Sequence, residues 1–216
     1  MTYEEIKKID AVKTYISQAD ASLAALGYTE HSFAHVGRVA EMTGYILETM
    51  GKDARTVELG KIAGYLHDIG NLVNRVDHSQ SGAVMAFRIL DHLQMDPEEI
   101  ATVIAAIGNH DEKTAFPVNP VAAALILADK SDVRRSRVRS KETIAFDIHD
   151  RVNYSVVASE NRMNKDELEL HLTIDTDICS VMDYFEIFLE RMMLCRKAAE
   201  RLGLRFRLIV NGQKLL

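Results

Sequence analysis

The chain holds no tryptophan, two cysteines and three prolines in 216 residues. Cys179 and Cys195 are too few to staple a fold, so a reduced, intracellular protein is expected rather than a disulfide scaffold. No apolar run is long enough to cross a bilayer; a long example, Val121–Ala128, reads VAAALILA. The N-terminal MTYEEIKKIDAV lacks such a run, and neither a signal peptide nor a membrane anchor is expected there. Basic charge is not in excess either. A net charge of −6 favours solubility and disfavours a broad nucleic-acid or anionic-membrane surface, though a local basic patch stays open. What is present is an ordinary globular composition, 47% hydrophobic and 27% charged, with length for one domain or one domain plus a small appendage. A cytoplasmic location is the expectation.

Helical patterning dominates the first three quarters. Thr2 and Glu5 form a capping box for a first helix running to about Ala24, before Gly27. A second helix, starting near Thr29 or Glu30, places Val36, Val39, Ala40, Thr43, Ile46, Leu47 and Met50 at helical spacing. A third, roughly 54–67, runs into His67-Asp68-Ile69-Gly70, with Gly70 as its expected end. A fourth is expected over 79–93, with Val84, Phe87, Ile89, Leu90 and Leu93 as core residues. Asp96-Pro97-Glu98-Glu99 opens a fifth, which ends near Gly108-Asn109-His110. Pro117 and Pro120 bracket a loop before an apolar helix over Val121–Asp132. Residues 144–162 read as weak helix, and Asn164-Lys165-Asp166 as a break. Leu168, Leu170, Leu172 and Ile174 alternate with polar residues as in a half-exposed strand. A helix over about 178–202 and a second strand, RFRLIV, complete the chain; the two strands are expected to pack on that helix or pair with another subunit.

Six ligand-type residues stand out: His35, the pair His67-Asp68, His78, His110 and Asp129. A helical core has no use for four imidazoles and two carboxylates unless they are paired or ligate a metal. Adjacent residues on a helix point about 100° apart. His67 and Asp68 can therefore flank one ion, or Asp68 can bridge two. Asp129 could complete a first shell with His35, leaving His78 and His110 to a second ion. Such a nitrogen and oxygen set suits Fe, Mn, Co, Ni or Zn better than Mg alone.

The order His … His-Asp … His … His … Asp resembles the HD superfamily of metal-dependent phosphohydrolases. AGYLHDIGN is similar to that family's signature, HSFAHVGRVAEMTGYI to the helix supplying its first histidine (His35), HSQSGAVMA and IAAIGNH to segments supplying His78 and His110, and LILADKSDVRRSR to the segment of the terminal aspartate (Asp129). The resemblance covers roughly 28–140. It implies a mainly α, HD-type helical bundle, with two ions held by His35, His67, Asp68, His78, His110 and Asp129. There are departures. Position 71 is Asn71 where several members carry lysine. Asn109-His110-Asp111 stands where the cyclic dinucleotide branch has tandem histidines, and that branch's Gly-Tyr-Pro signature is absent.

Arg134, Arg135, Arg137, Arg139 and Lys141 place five cations within eight positions just beyond Asp129. Arg134 and Arg135, nearest the cluster, are expected to meet a phosphate. His31, Lys130 and Asp132 are expected to bind substrate or support a ligand. His149 and Arg151 are candidates for the pocket rim, and His171 is expected on an exposed strand face.

The expected architecture is a hydrolase domain over 1–150 and a small α+β element over 164–216 that stabilises it or joins a homodimer. The expected activity is hydrolysis of a phosphomonoester or phosphoanhydride, with a nucleotide or similar small phosphorylated compound attacked by a metal-activated hydroxide that Asp68 helps hold. The alternatives are a diiron oxygenase of the same superfamily and a non-catalytic nucleotide-sensing or scaffold protein.

Overall fold

Polar side chains close the first turn of most helices in the computed structural model, which describes residues 1–164 and 166–216. Thr2 and Glu5 form the reciprocal capping box of α1 (Tyr3–Ile6). Ser32 caps α3 (Phe33–Thr49), Asp53 caps α4 (Ala54–Leu66), and Asp96 with Pro97 opens α6 (Pro97–Gly108). Asn119 caps α7 (Pro120–Lys130), and Ser180 with Asp183 caps α9 (Val181–Arg201). Each oxygen satisfies a backbone N–H that the helix leaves unpaired. The remaining helices are α2 (Asp10–Ala25), α5 (His78–His92) and α8 (Ile148–Ser155).

Several boundaries differ from the sequence reading. The first expected helix is two, α1 and α2, and α3 starts at Phe33 because residues 28–32 form a loop pinned to the segment after α7. Val84 and Phe87 face solvent at 68% and 46% exposure; α5 buries Leu90, as expected, together with Gly82 and Ala86. Weak helix over 144–162 is half right. α8 ends at Ser155, and Val156–Asn164 is a strand, β1.

β1 pairs antiparallel with β2 (Glu167–Ile174), β2 pairs parallel with β3 (Arg205–Val210), and β3 pairs antiparallel with the short β4 (Gln213–Lys214). The expected two-stranded ribbon is therefore a four-stranded sheet that draws on residues before 164. Lys165, in the expected break, lies outside the described residues. Parallel neighbours need a crossover, and α9 supplies it. Leu168, Leu170 and Leu172 of β2 and Phe206, Leu208 and Val210 of β3 are buried, and α9 packs on β3.

α7 is the axis of the helical part. Every residue from Val121 to Ala128 is buried, and α3, α4, α6 and α9 pack around it. An eight-residue run without a polar position suits a helix enclosed on all sides. Two close crossings then bring the polar residues together. A Cβ on Gly64 of α4 would lie 2.7 Å from the Ala40 Cα of α3, so glycine lets these helices approach closely. Gly70 is not a helix end. It lies in a buried 3-10 turn, Ile69–Leu72, where a Cβ would stand 1.9 Å from the His78 carbonyl oxygen and 2.4 Å from the Gly82 nitrogen. That contact seats the turn after His67-Asp68 against the first turn of α5.

Candidate metal centre

The six ligand-type residues, separated by up to 94 positions in sequence, meet in one buried cluster. His35 comes from α3, His67 from the C-terminal cap of α4, Asp68 from the residue after it, His78 from the start of α5, His110 from just beyond α6 and Asp129 from α7. The Asp68 carboxylate stands between two groups of imidazoles. Its Oδ2 lies 3.2 Å from His67 Nε2 and 3.5 Å from His35 Nε2, while its Oδ1 lies 3.5 Å from His78 Nε2 and 3.8 Å from His110 Nε2. Asp129 Oδ1 joins the first group, 3.4 Å from His35 Nε2 and 3.7 Å from His67 Nε2. His78 Nε2 and His110 Nε2 are 3.2 Å apart.

The other ring nitrogens fix the tautomers. Nδ1 of His67 lies 2.8 Å from the Gly64 carbonyl, that of His110 2.6 Å from the Ile107 carbonyl and that of His78 3.1 Å from the Arg75 carbonyl. Nδ1 of His35 lies 2.8 Å from Asp132 Oδ2. Carbonyl and carboxylate oxygens only accept, so each Nδ1 carries the proton and donates. In neutral rings all four Nε2 lone pairs then face the centre. Electron pairs thus confront one another, with a single donor, Arg75 Nη1 at 3.5 Å from His78 Nε2, beside them. His35 Nε2 and His67 Nε2 are buried without a hydrogen-bond partner. Ligands each about 2.0–2.2 Å from one ion stand about 3–3.5 Å apart, close to these separations. The ligand atoms of His35, His67 and Asp129 lie within 4.8 Å of one another, and so do those of His67, Asp68 and His110. The donor set fits a divalent transition metal.

Electrostatics agree with the geometry. Burial disfavours charge on Asp68, but the neighbouring imidazoles, His67 foremost, hold its carboxyl well below the usual range. Asp129 is held down in the same way, against burial, chiefly by the Lys130 ammonium. Without a metal, protons do the balancing. Burial opposes charge on His67, yet Asp68 and Asp129 push it up to about 10. Burial instead brings His78 down to about 4.

The cluster opens onto a cavity of about 550 Å³. Asp68, His78, His110 and Asp129 line its inner part, with Arg75, Lys113, Lys130, Arg137 and Arg191 around them. His31 also lines it, its ring 5.4 Å from that of His35, and His149 stands at its exposed side. Lys130 Nζ lies 2.7 Å from Asp129 Oδ2, and Asp132 orients His35.

Arg134 and Arg135 depart from expectation, since neither lines this cavity. Arg134 ion-pairs with Glu30 and Asp132, each at 3.0 Å. Arg135 stacks on Tyr154 and hydrogen-bonds that residue's carbonyl. Two residues on, Arg137 faces the cavity and holds the carbonyls of Glu30 and Asp132 at 3.0 Å. His171 is half-buried and bonded to Glu169. Sequence reasoning missed Asn71, whose amide donates to Asp68 Oδ1 at 2.9 Å, and Arg75, which reaches Asn71 Oδ1 at 3.2 Å. Their closeness in sequence to Asp68 and His78 was the available signal. Arg191, on α9, left none.

The profile of the HD domain family matches residues 32–187. The chain is similar to Uncharacterized protein MJ1020 of Methanocaldococcus jannaschii, 26% identical over 161 residues, which are 64% of this chain and 62% of that protein. It is also similar to Ribonuclease Y of Latilactobacillus sakei, 37% identical over 83 residues (38% of this chain, 14% of that protein). Ribonuclease Y of Deinococcus radiodurans is 30% identical over 120 residues, 52% of this chain and 19% of that protein. The chain thus spans less than two thirds of each of these relatives. A solved structure described as a predicted HD superfamily hydrolase, from an uncultured Thermotogales bacterium, has a TM-score of 0.47 at 23% identity, covering 61% of this chain and 73% of that one. Because the profile match takes in most of the sequence, from the helix of His35 past Asp129 into α9, the chain belongs to the HD domain family.

Proposed function

We propose that the protein is a metal-dependent phosphohydrolase, cleaving a phosphomonoester or phosphoanhydride of a nucleotide or similar small phosphorylated compound. One observation carries this reading: four imidazole Nε2 atoms and two carboxylates converge in a cavity whose lining also carries arginine and lysine side chains. His35, His67, Asp68 and Asp129 would hold one ion, and Asp68, His78 and His110 a second. Bound there, divalent ions supply Lewis acidity to phosphoryl oxygens and lower the pKa of water.

The chain's own groups have separate tasks in this reading. Asp132 and the Gly64, Arg75 and Ile107 carbonyls hold the four rings in the tautomer that turns Nε2 inward. Asn71 fixes the rotation of the Asp68 carboxylate, so that one oxygen faces each group of ligands. Arg75 and Arg137 offset the negative charge of an incoming phosphate. Leu26, Tyr28 and Val76, exposed at 65%, 43% and 69%, line the same cavity and give a base an apolar surface to lie on.

Elemental analysis of protein purified without added metal, together with phosphate release from nucleoside mono-, di- and triphosphates, tests the reading. Bound transition metal with release from at least one substrate is expected. Metal without release across the panel sinks it. Asp132→Asn is expected to weaken metal binding or turnover about 10–100-fold while the fold persists, because it loosens His35 without removing a ligand. Titration of the metal-stripped variant with Mn²⁺ reads this directly.

A further inference from the structure

α9 lies late in the chain, and its Phe188 and Arg191 fall beyond the family match, which ends at 187. Both nevertheless line the cavity of the metal centre. Arg191 ends a line of alternating charges that begins at the cluster. Asp129 Oδ2 lies 2.7 Å from Lys130 Nζ, Lys130 Nζ lies 3.5 Å from Glu112 Oε1, and Glu112 Oε1 lies 2.5 Å from Arg191 Nε. The Arg191 guanidinium also sits over the Phe188 ring, 4.6 Å from its centroid, and the buried Phe188 fixes its position.

The cations of the cavity are not equivalent. Lys130 is buried between two carboxylates. Arg137 is buried and holds two backbone carbonyls. Arg75 is tied to Asn71, reaches His78 Nε2 at 3.5 Å and rests over Tyr28, and Lys113 is exposed and carries an ammonium rather than a planar fork. In Arg191 Nε is buried against the Glu112 carboxylate as an ion pair without an aligned hydrogen bond; among the described residues neither Nη1 nor Nη2 makes a hydrogen bond, and neither belongs to the buried unpaired atoms. A guanidinium with its stem ion-paired, its face stacked and its two terminal nitrogens open is pre-organised to grip an oxyanion through two parallel bonds. It also offsets Glu112, whose carboxylate would otherwise repel an anion in the same cavity.

We infer that Arg191, carried into the cavity by the C-terminal helix and held by Phe188 and Glu112, is the substrate-phosphate anchor of this site. The inference rests on the phosphohydrolase reading for its substrate, but not on turnover for its test. Inorganic phosphate is the probe, titrated calorimetrically into the metal-containing protein as purified. Arg191→Ala is expected to weaken phosphate binding tenfold or more with metal content unchanged. In steady state it raises KM for whichever nucleotide the wild type cleaves and leaves kcat within about threefold. Arg191→Lys, which keeps the charge but not the fork, falls between the two. Glu112→Gln separates anchoring from bracing: its amide oxygen still stands beside Nε while the negative charge is gone, so phosphate binding stays equal to wild type or tightens.

If Arg191→Ala fails to fold, Arg191→Gln is read in its place with the same expectation. Unchanged phosphate affinity in the Arg191 variants overturns the inference. So does a Glu112→Gln variant that weakens in parallel, or a wild type that binds no phosphate. Phosphate binding that depends on Arg191, in a protein that releases no phosphate from any nucleotide, removes the hydrolase reading and leaves the anchor standing. Hydrolysis with a KM indifferent to Arg191 does the reverse.

Discussion

Asp68→Asn is expected to cut phosphate release about a thousand-fold or more, a loss of about 4 kcal/mol in transition-state stabilisation, while the protein stays folded. Asp68 is the residue whose two oxygens face both groups of imidazoles. The Asn71 amide donates to Oδ1, so an asparagine at 68 keeps its carbonyl on that side and turns its NH₂ to the place of Oδ2. A donor then points at His35 and His67, whose Nε2 atoms lack partners. It satisfies them by hydrogen bonding and removes the negative charge an ion needs. The group of His35, His67 and Asp129 is therefore expected to lose its metal. Metal stoichiometry, thermal unfolding and phosphate release on one preparation separate the outcomes. A folded variant that has lost metal but releases phosphate at the wild-type rate refutes the hydrolase reading; one that keeps metal and rate refutes the role of Asp68.

Gly70→Ala carries the second largest effect, and it acts through the backbone. The added methyl would meet the His78 carbonyl at 1.9 Å, the Gly82 nitrogen at 2.4 Å and Ser81 Oγ at 2.7 Å. Two of these are main-chain atoms that cannot rotate away, so the 3-10 turn and α5 must separate. Overpacking of this kind costs about 3 kcal/mol, which for a chain of this size lowers the melting temperature by about 6–12 °C. The same displacement carries His78 away from Asp68 and His110. If the site holds two ions as proposed, bound metal is expected to fall toward one per chain, because His35, His67 and Asp129 lie on α3, at the end of α4 and on α7 rather than on α5. A melting temperature within 2 °C of wild type would show that the crossing relaxes more easily than its close contacts imply.

The helical part was largely legible because its signals are local. Asp96-Pro97 marks a helix start, and an unbroken apolar run such as Val121–Ala128 belongs in an interior, although Pro120, read as the end of a loop, is the first residue of α7 with Asn119 as its cap. The convergence of the six ligand-type residues was legible from their types alone. β1 was not: VVASENRMN has no clean alternation, and its pairing with the strongly patterned β2 makes it a strand. The cavity's cations were read at the wrong positions. Sequence distance from Asp129 favoured Arg134 and Arg135, but Glu30 and Tyr154, brought near only by the fold, hold them outside the cavity. Arg191 depends on where α9 docks, which no local pattern encodes.

The parallel pairing of β2 with β3 has a consequence for how this protein comes into being. Glu167 lies opposite Arg205, so the whole of α9 must be made before the two strands can join. Contacts of such separation close late, since the chain entropy of the loop is lost before the pairing rewards it. α3 to α7 can gather around their axis while the rest of the chain is still emerging from the ribosome. A nascent chain would then hold its metal-type residues together while one wall of the cavity is still missing. The timing of assembly, and not only the final geometry, separates acquiring a metal from gripping a substrate.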